Sequence, residues 1–550
     1  MIAADLAGSA LPAADEDISA WVRQVLGLTL TEADLQGAIA SRLGDRPLRP
    51  FQQAIAAAGH RITLVKAGCG TGKTIGAYAW AKERGQNRKL FFGYPTTGTA
   101  SQGFMDYAVA TNFECDLMHS RADLDRELLF SGETDDSEGI DARLSALRAW
   151  RNKLIICTVD TVLGLVQNNR KPLYAFPALL QAAFVFDEVH AYDGQLFGAL
   201  RRFLTAFPGA PVLLMSASFS PEQIEAIRQT AASMGEEIGM VEGPAALEKL
   251  PRYRLRYLPE ATDSFDALWA DVGDALAVGQ KVLWVTNTVA RCIELYRAGR
   301  DRFDSVFPNA RVLIYHSRFR YRDRLRKHGA VIEAFQGDRP VLALTTQVCE
   351  MSLDLSADLL VTAMAPAAAL IQRMGRLNRR VVEAVDGSVR LASGAIQAAV
   401  IYPWTEPHPY RQEELATGQQ LVANLGERSD ISQANLAETA AKIATSMPQA
   451  AHSVWLDEGW LSYPQPLREG GGSITVLLEK DMGDIKKEAK RLESEKGRQG
   501  LFLLAAQGWS VPIRLMKGWE QWKRCGFYFI APSTAVHYSE ETGAEPCQPK

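Results

Sequence analysis

Cysteine is scarce in this sequence, and what there is has no local order. Seven cysteines are spread over 550 residues, odd in number and with no C-x-x-C pair. A disulfide framework or a structural zinc site is therefore excluded as the organising device. An excess of one charge is also missing: 60 Lys and Arg stand against 64 Asp and Glu, a formal net charge of −4. Any polyanion must then be held by a local groove and not by bulk positive charge. No long apolar run is present; a stretch such as 501–506 falls far short of the ~20 residues that cross a bilayer. No basic segment opens the chain, which runs from a partly apolar start into Asp15-Glu16-Asp17, so a cytoplasmic protein with no membrane partner is expected. Finally, none of the eight histidines is followed by aspartate. The His-Asp dipeptide of metal-dependent phosphohydrolases is absent.

What is present is ordinary globular material, 47% apolar and 23% charged, long enough for about three to five domains. Short apolar runs at 62–65, 90–92, 154–157, 184–186 and 212–215 alternate with amphipathic stretches. A second series at 282–285, 312–315, 341–344, 359–362 and 398–401 follows the loop expected at 235–251. Continuous apolar strands alternating with helices predict parallel sheets covered on both faces, with ligand chemistry at the strands' carboxyl ends. The expected division is a helical preface at 1–45, two α/β domains at 46–250 and 251–405, and a C-terminal α+β region at 406–550. In that last region, 432–446 and 484–498 read as helices, and 474–478 and 527–530 as strands.

Three segments carry chemistry. The run Leu64-Val65-Lys66-Ala67-Gly68-Cys69-Gly70-Thr71-Gly72-Lys73-Thr74 is a strand, a glycine-rich loop and a helix start. In such a loop the backbone N–H groups turn onto phosphates, Lys73 reaches the β- and γ-phosphates, and the Thr74 hydroxyl faces Mg²⁺. Ala67 replaces the first glycine of the strict pattern. The run Ala183-Phe184-Val185-Phe186-Asp187-Glu188-Val189-His190 sets two acids at a buried strand's end. Asp187 is the expected Mg²⁺ holder, Glu188 the base for the attacking water, and His190 a reporter of the site's state. In Leu370-Ile371-Gln372-Arg373-Met374-Gly375-Arg376-Leu377-Asn378-Arg379-Arg380, Arg376 and Arg379 share a helical face and are the expected fingers for transition-state charge.

In this order the three segments resemble a superfamily 2 helicase with two tandem RecA-like domains. Asp187-Glu188-Val189-His190-Ala191-Tyr192-Asp193, His316-Ser317-Arg318-Phe319 with Arg324, and Thr345-Thr346-Gln347-Val348-Cys349-Glu350-Met351-Ser352-Leu353-Asp354 narrow it: they resemble the type I CRISPR-associated helicase over residues 46–405. The resemblance implies that Gln52, in Arg49-Pro50-Phe51-Gln52, reads adenine, that Gly68, Cys69, Gly70, Thr71 and Gly72 line the ATP phosphates, and that Asp354 touches the ribose. It implies strand-backbone contacts from Pro95, Thr96, Thr97, Thr158 and Asp160 in the first domain. In the second they come from Asn287, Thr288, His316, Ser317, Arg318, Thr345, Thr346 and Gln347. Ser216, Ser218, His190 and Gln372 would couple hydrolysis to strand movement; Ser218 stands where threonine is commoner.

The implied activity is ATP- and Mg²⁺-dependent 3′→5′ movement along single-stranded DNA, beside an RNA-guided surveillance complex. With no His-Asp pair, the HD nuclease is expected on a separate polypeptide. An RNA-directed superfamily 2 enzyme and a nucleotide-gated clamp remain open. The basic run Arg318-Phe319-Arg320-Tyr321-Arg322-Asp323-Arg324-Leu325-Arg326-Lys327 suits either a single-strand channel or a solvated helix face. Trp509, Trp519 and Trp522 suit either a channel cap or the core of the C-terminal region.

Overall fold

The computed structural model describes residues 18–68, 70–96, 100, 115–118, 148–258, 265–383, 388–406, 408–426, 428–443, 449–458, 467, 472–496, 502–526 and 528–547. Cys69 and Thr97 lie outside them. The chain forms two compact units, the first Met1–Glu248 with Ala440–Gly470, the second Lys249–Thr439 with Gly471–Lys550. The region read as one C-terminal appendage is thus divided between them.

In the first unit, β1 (Ile62–Lys66), β2 (Lys89–Tyr94), β3 (Cys115–Met118), β4 (Leu154–Thr158), β5 (Ala182–Phe186), β6 (Val212–Ser216) and β7 (Ile238–Glu242) form one sheet. Its order is β3-β4-β2-β5-β6-β1-β7 and every pairing is parallel. The central strands are buried along their whole length, which is why their sequences are unbroken apolar runs. β7 falls inside the segment expected to be a loop. It is an edge strand whose only buried residue is Gly239, and Gly239 and Glu242 interrupt the apolar run that would have marked it.

Lys89 opens β2 and is fully buried. Its ammonium donates to the carbonyls of Val25 (3.1 Å), Leu28 (2.7 Å), Trp150 (2.9 Å) and Asn152 (3.1 Å). These carbonyls sit at the C-terminal ends of the helices Ile18–Gly27 and Arg148–Arg151, where helix dipoles favour a cation. One side chain therefore seats the preface helix on the sheet. Lys89→Ala strips four carbonyls, two of them in fully buried bonds, of their donor, and we expect it to cost about 3–5 kcal/mol, read as an earlier denaturant transition of the first unit.

Residues 449–458 return to this unit from the second. Ala451 N–H donates to Gly198 O at 3.0 Å, Ser453 Oγ to Val166 O at 2.6 Å and Trp455 Nε1 to Leu165 O at 2.7 Å. A Cβ on Gly198 would lie 2.5 Å from Gln449 O, so only glycine admits the returning chain.

In the second unit, β8 (Tyr253–Tyr257), β9 (Lys281–Val285), β10 (Arg311–Tyr315), β11 (Val341–Thr345), β12 (Leu359–Ala363) and, after the hairpin β13 (Val381–Glu383) and β14 (Val389–Leu391), β15 (Gln397–Tyr402) build a second sheet. The order is β10-β11-β9-β12-β15-β8, again all parallel. These are the two helix-flanked parallel sheets of tandem RecA-like domains. The C-terminal part adds β16 (Ser473–Leu478), β17 (Val511–Arg514), β18 (Arg524–Cys525) and β19 (Tyr528–Ala531) as a mixed sheet in the order β17-β16-β19-β18. The helices Met482–Lys496 and Phe502–Trp509 pack on it, and the last hairpin is β20 (Val536–Ser539) with β21 (Gly543–Pro546).

Candidate nucleotide and strand-binding sites

Strand order brings the first-unit motifs together. β5, β6 and β1 are neighbours, with Lys66 paired to Ser216, so the acids, Ser216 and the glycine loop leave three adjacent strand ends on the same side. Gly72 (φ 90°) and Gly70 (φ 82°) take left-handed conformations that turn the loop. A Cβ on Gly72 would lie 2.6 Å from Gln52 Nε2. Lys73 is buried and donates to Ala67 O (2.7 Å) and Gly68 O (3.2 Å), while Thr71 Oγ1 donates to Gly68 O (2.9 Å). Thr74 is the second residue of the helix Lys73–Arg84.

Asp187 is buried, and its Oδ1 accepts the Glu188 N–H at 2.9 Å. Burial, with the Glu188 charge beside it, pushes Asp187 up to about 7 against the pull of the Lys73 ammonium. Glu188 itself sits at φ 51° and starts the 3-10 turn Val189–Ala191. His190 Nδ1 lies 3.0 Å from Ser216 Oγ and 3.4 Å from Glu188 Oε2, and Ser216 Oγ accepts the Ser218 N–H at 3.1 Å. Burial holds His190 below its usual range in spite of Glu188, and the imidazole Nδ1 lies between Glu188 and Ser216. The set fits a polyphosphate with a divalent cation: a loop turned by two left-handed glycines, one buried ammonium, and two adjacent carboxylates that a cation's charge would relieve. Thr74 and Asp187 are the residues that could hold the cation.

Two first-unit placements were not legible. Gln52, expected to read adenine, is buried with both amide ends on backbone: Oε1 accepts from Arg49 N (2.9 Å) and Nε2 donates to Gly72 O (3.3 Å). Its side chain here braces the glycine loop. Glu248 was missed altogether; its Oε1 accepts the Gly68 N–H at 2.8 Å, and nothing in its sequence surroundings marks it. Pro95 and Thr96 follow β2, and Asp160 opens the short helix Asp160–Leu163 after β4. Thr158 is buried at the end of β4 beside Thr161.

The second unit gathers its motifs on neighbouring strand ends in the same way, β10, β11, β9 and β12 in order, but most of the side chains turn inward. Arg373 is fully buried and donates to Glu350 Oε1 (2.8 Å), Thr362 Oγ1 (2.9 Å), Ala363 O (3.1 Å) and Asn287 Oδ1 (3.0 Å). Asn287 Nδ2 donates in turn to Met364 O (2.8 Å), and Gln347 Nε2 to Asn287 O (2.8 Å). Thr288 caps the helix Val289–Phe303, while Thr345 and Thr346 are buried, as is Gln372. The Asn287, Thr345 and Thr346 side chains, expected as strand contacts, are buried here, and Asn287 is bonded to Met364 O and Arg373.

His316, also expected as a strand contact, lies inside the turn. It is fully buried, stacks on Phe319 at 4.5 Å, and its Nδ1 accepts the Arg318 N–H at 3.2 Å. Burial and the Arg318 charge push it down to about 3. It shapes the 316–318 turn from within, leaving Ser317 and Arg318 as that turn's partly exposed members. The expected fingers are also engaged inside their own unit. Arg376 donates to Cys349 O (3.0 Å) and Glu350 O, and Arg379 lies 3.1 Å from Asp354. Although burial works against it, the Arg379 and Arg380 charges hold Asp354 below the usual carboxylate range. The basic run, finally, is only partly solvated: Arg322 and Arg326 are exposed, while Arg320 and Asp323 are buried. Arg320 pairs with Asp481 (2.5 Å), Arg322 lies over Trp509, and Arg326 and Lys327 reach Glu540 (3.0 Å) and Glu541 O (3.2 Å), so the run docks the C-terminal region. Trp509 is buried in the core of that region, where Trp522 also packs, and Trp519 lies edge-on to Phe529.

The family model described as CRISPR-associated nuclease/helicase Cas3, C-terminal, matches residues 278–381. A putative CRISPR-associated nuclease/helicase Cas3 from Myxococcus xanthus is 41% identical over 555 residues, covering 99% of this chain and 69% of the relative. Among solved structures, T. fusca Cas3-AMPPNP has a TM-score of 0.68 at 18% identity, covering 96% of this chain and 72% of that one. A CRISPR RNA-guided surveillance complex in a pre-nicking state gives 0.56 at 17% identity, covering 94% of this chain and 69% of that chain. The fold agrees, the motifs stand in order at the strand ends, and the identity runs along almost the whole chain: it belongs to the Cas3 family of CRISPR-associated nuclease/helicases.

Proposed function

We propose that the chain is an ATP-dependent single-stranded DNA translocase that moves 3′→5′ in a type I CRISPR interference system. The observation that carries this reading is the link from Glu188 through His190 to Ser216 on adjacent strand ends. It ties the expected water-activating base to the segment that would report hydrolysis. Lys73 and the loop N–H groups bind the phosphates, Thr74 and Asp187 hold the cation, and Glu188 takes the proton of the attacking water. Mg²⁺, when bound, neutralises phosphate charge. Arg376 and Arg379 supply positive charge to the transition state after exchanging their present partners. Strand contact falls to the partly exposed 95–96, 158–160, 287–288 and 345–347 segments, largely through backbone, and at 316–318 to the partly exposed Ser317 and Arg318 side chains. The surveillance-complex neighbour supports an RNA-guided partner. We further propose that target cleavage belongs to an HD nuclease outside these 550 residues.

The deciding measurement is ATP turnover with single-stranded DNA, single-stranded RNA or neither, beside Lys73→Ala. We expect stimulation by DNA of at least about tenfold, and turnover lost in the variant. Equal or stronger stimulation by RNA would overturn the DNA assignment. Strong turnover with no directional strand displacement would leave a nucleotide-gated clamp.

A further inference from the structure

The turn that carries His316, Ser317 and Arg318 is gripped from outside by the chain's last hairpin. β20 and β21 pair with Ser539 opposite Gly543, leaving Glu540-Glu541-Thr542 as a three-residue turn. Such a turn exits through a left-handed residue, and Gly543 has φ +77°. Glycine is required here for a second reason: a Cβ would lie 2.6 Å from Arg318 O and 3.0 Å from His316 Cε1. The next N–H, of Ala544, donates to Arg318 O at 2.8 Å. Two residues further along the gripped segment, Arg320 N–H donates to the Tyr538 hydroxyl at 3.2 Å, and that hydroxyl donates to Asp323 Oδ2 at 2.5 Å.

The hairpin is itself anchored. Val536, Tyr538 and Ala544 are buried in one cluster with Val476, Val511 and Ile513. Around the rim, Glu540, Glu541 and Glu545 meet Arg326, Arg300 and Arg297. Those pairs are largely exposed and hold little by themselves; they line the rim between the hairpin and the helices Val289–Phe303 and Tyr321–Gln336. The buried bonds to Arg318 O and Arg320 N do the holding.

We propose that this hairpin is a positioning element for strand binding. It sets the backbone of 316–318, so Gly543 and Tyr538 govern the grip on a single strand without touching it. The proposal rests on the reading of 316–318 as a strand contact, and the test separates the two. In the full chain, Gly543→Ala is expected to weaken binding of a labelled single-stranded oligonucleotide about tenfold by anisotropy, as one lost buried hydrogen bond does. The half-saturating DNA concentration for ATP turnover should shift by the same factor. Maximal turnover at saturating DNA and the KM for ATP should stay unchanged, which general destabilisation would not leave. Tyr538→Phe removes only the hydroxyl, and decides the matter if Gly543→Ala does not fold; about threefold is expected. Affinity within about twofold of the parent in the folded variants would overturn the proposal. If Arg318→Ala also leaves affinity untouched, the strand-contact reading fails with it; if Arg318→Ala weakens binding, the hairpin proposal alone fails.

Discussion

Glu188→Gln should lower ATP turnover by about 10²–10⁴-fold while leaving nucleotide affinity near that of the parent. Glutamine keeps the side-chain length and the polar contact toward His190 Nδ1, 3.4 Å away, and leaves the Glu188 N–H on Asp187 Oδ1 in place. What it cannot do is accept a proton. The backbone at this residue is left-handed, φ 51°, so the carboxylate is aimed by the 3-10 turn that follows and not by a flexible loop. Removing its charge also takes away the neighbour that helps raise Asp187, so binding should not suffer for lack of an ionised Asp187. Lys73→Ala is different: it removes the only side-chain ammonium whose charge is felt at both Asp187 and His190 among the described residues, and should lose binding and turnover together. Pre-steady-state turnover beside fluorescent-nucleotide binding distinguishes the two. Retention of more than about a third of the parent rate by Glu188→Gln would remove it from the role of base.

The contrast between these two side chains and Arg373 shows what the sequence could and could not reveal. Strands buried on both faces announce themselves as apolar runs, and β1, β5 and β6 were legible for that reason. β8 alternates in burial and β7 buries only Gly239, and so short a signal is easily lost beside longer ones. Chemical type was readable at Lys73, Asp187 and Glu188 because a phosphate site demands those groups after a strand. Partnership was not. An arginine-rich helix reads as surface, yet its Arg373 has no exposure, and the acid that compensates it, Glu350, lies 23 residues away on the segment after β11. Motif residues expected to face a strand, Asn287 and His316 among them, turn inward because a polar side chain at a buried strand end must find its hydrogen bonds in the core. The partners of the 318–327 run were hidden for a related reason. Its charges are answered by Asp481, Glu540 and Glu541, more than 150 residues on, beyond the reach of any local pattern.

Arg373→Met should cost the second unit about 3–5 kcal/mol and abolish DNA-stimulated turnover, although the residue touches no substrate. Its guanidinium joins four segments: Asn287 after β9, Glu350 after β11, Thr362 and Ala363 in β12, and Tyr410, whose hydroxyl accepts at 3.4 Å. Loss of the cation leaves Glu350 buried, where burial already raises it and Arg373 is the main force holding it down. Arg373→Lys should recover little, because a point charge cannot serve acceptors fixed in the plane of a guanidinium. The pair can be separated from simple destabilisation by a double-mutant cycle with Glu350→Gln. Each single change strands one buried partner, whereas the double variant strands neither, so its loss should fall short of the sum by at least about 2 kcal/mol. Additive losses would mean that Arg373 acts by packing alone. Coupling of the expected size would mean that Asn287, Glu350 and the helix Ala367–Met374 that precedes Arg376 and Arg379 are set in place by one buried cation. Turnover would then fail with that cation because Arg376 and Arg379, the proposed fingers, lose their seat.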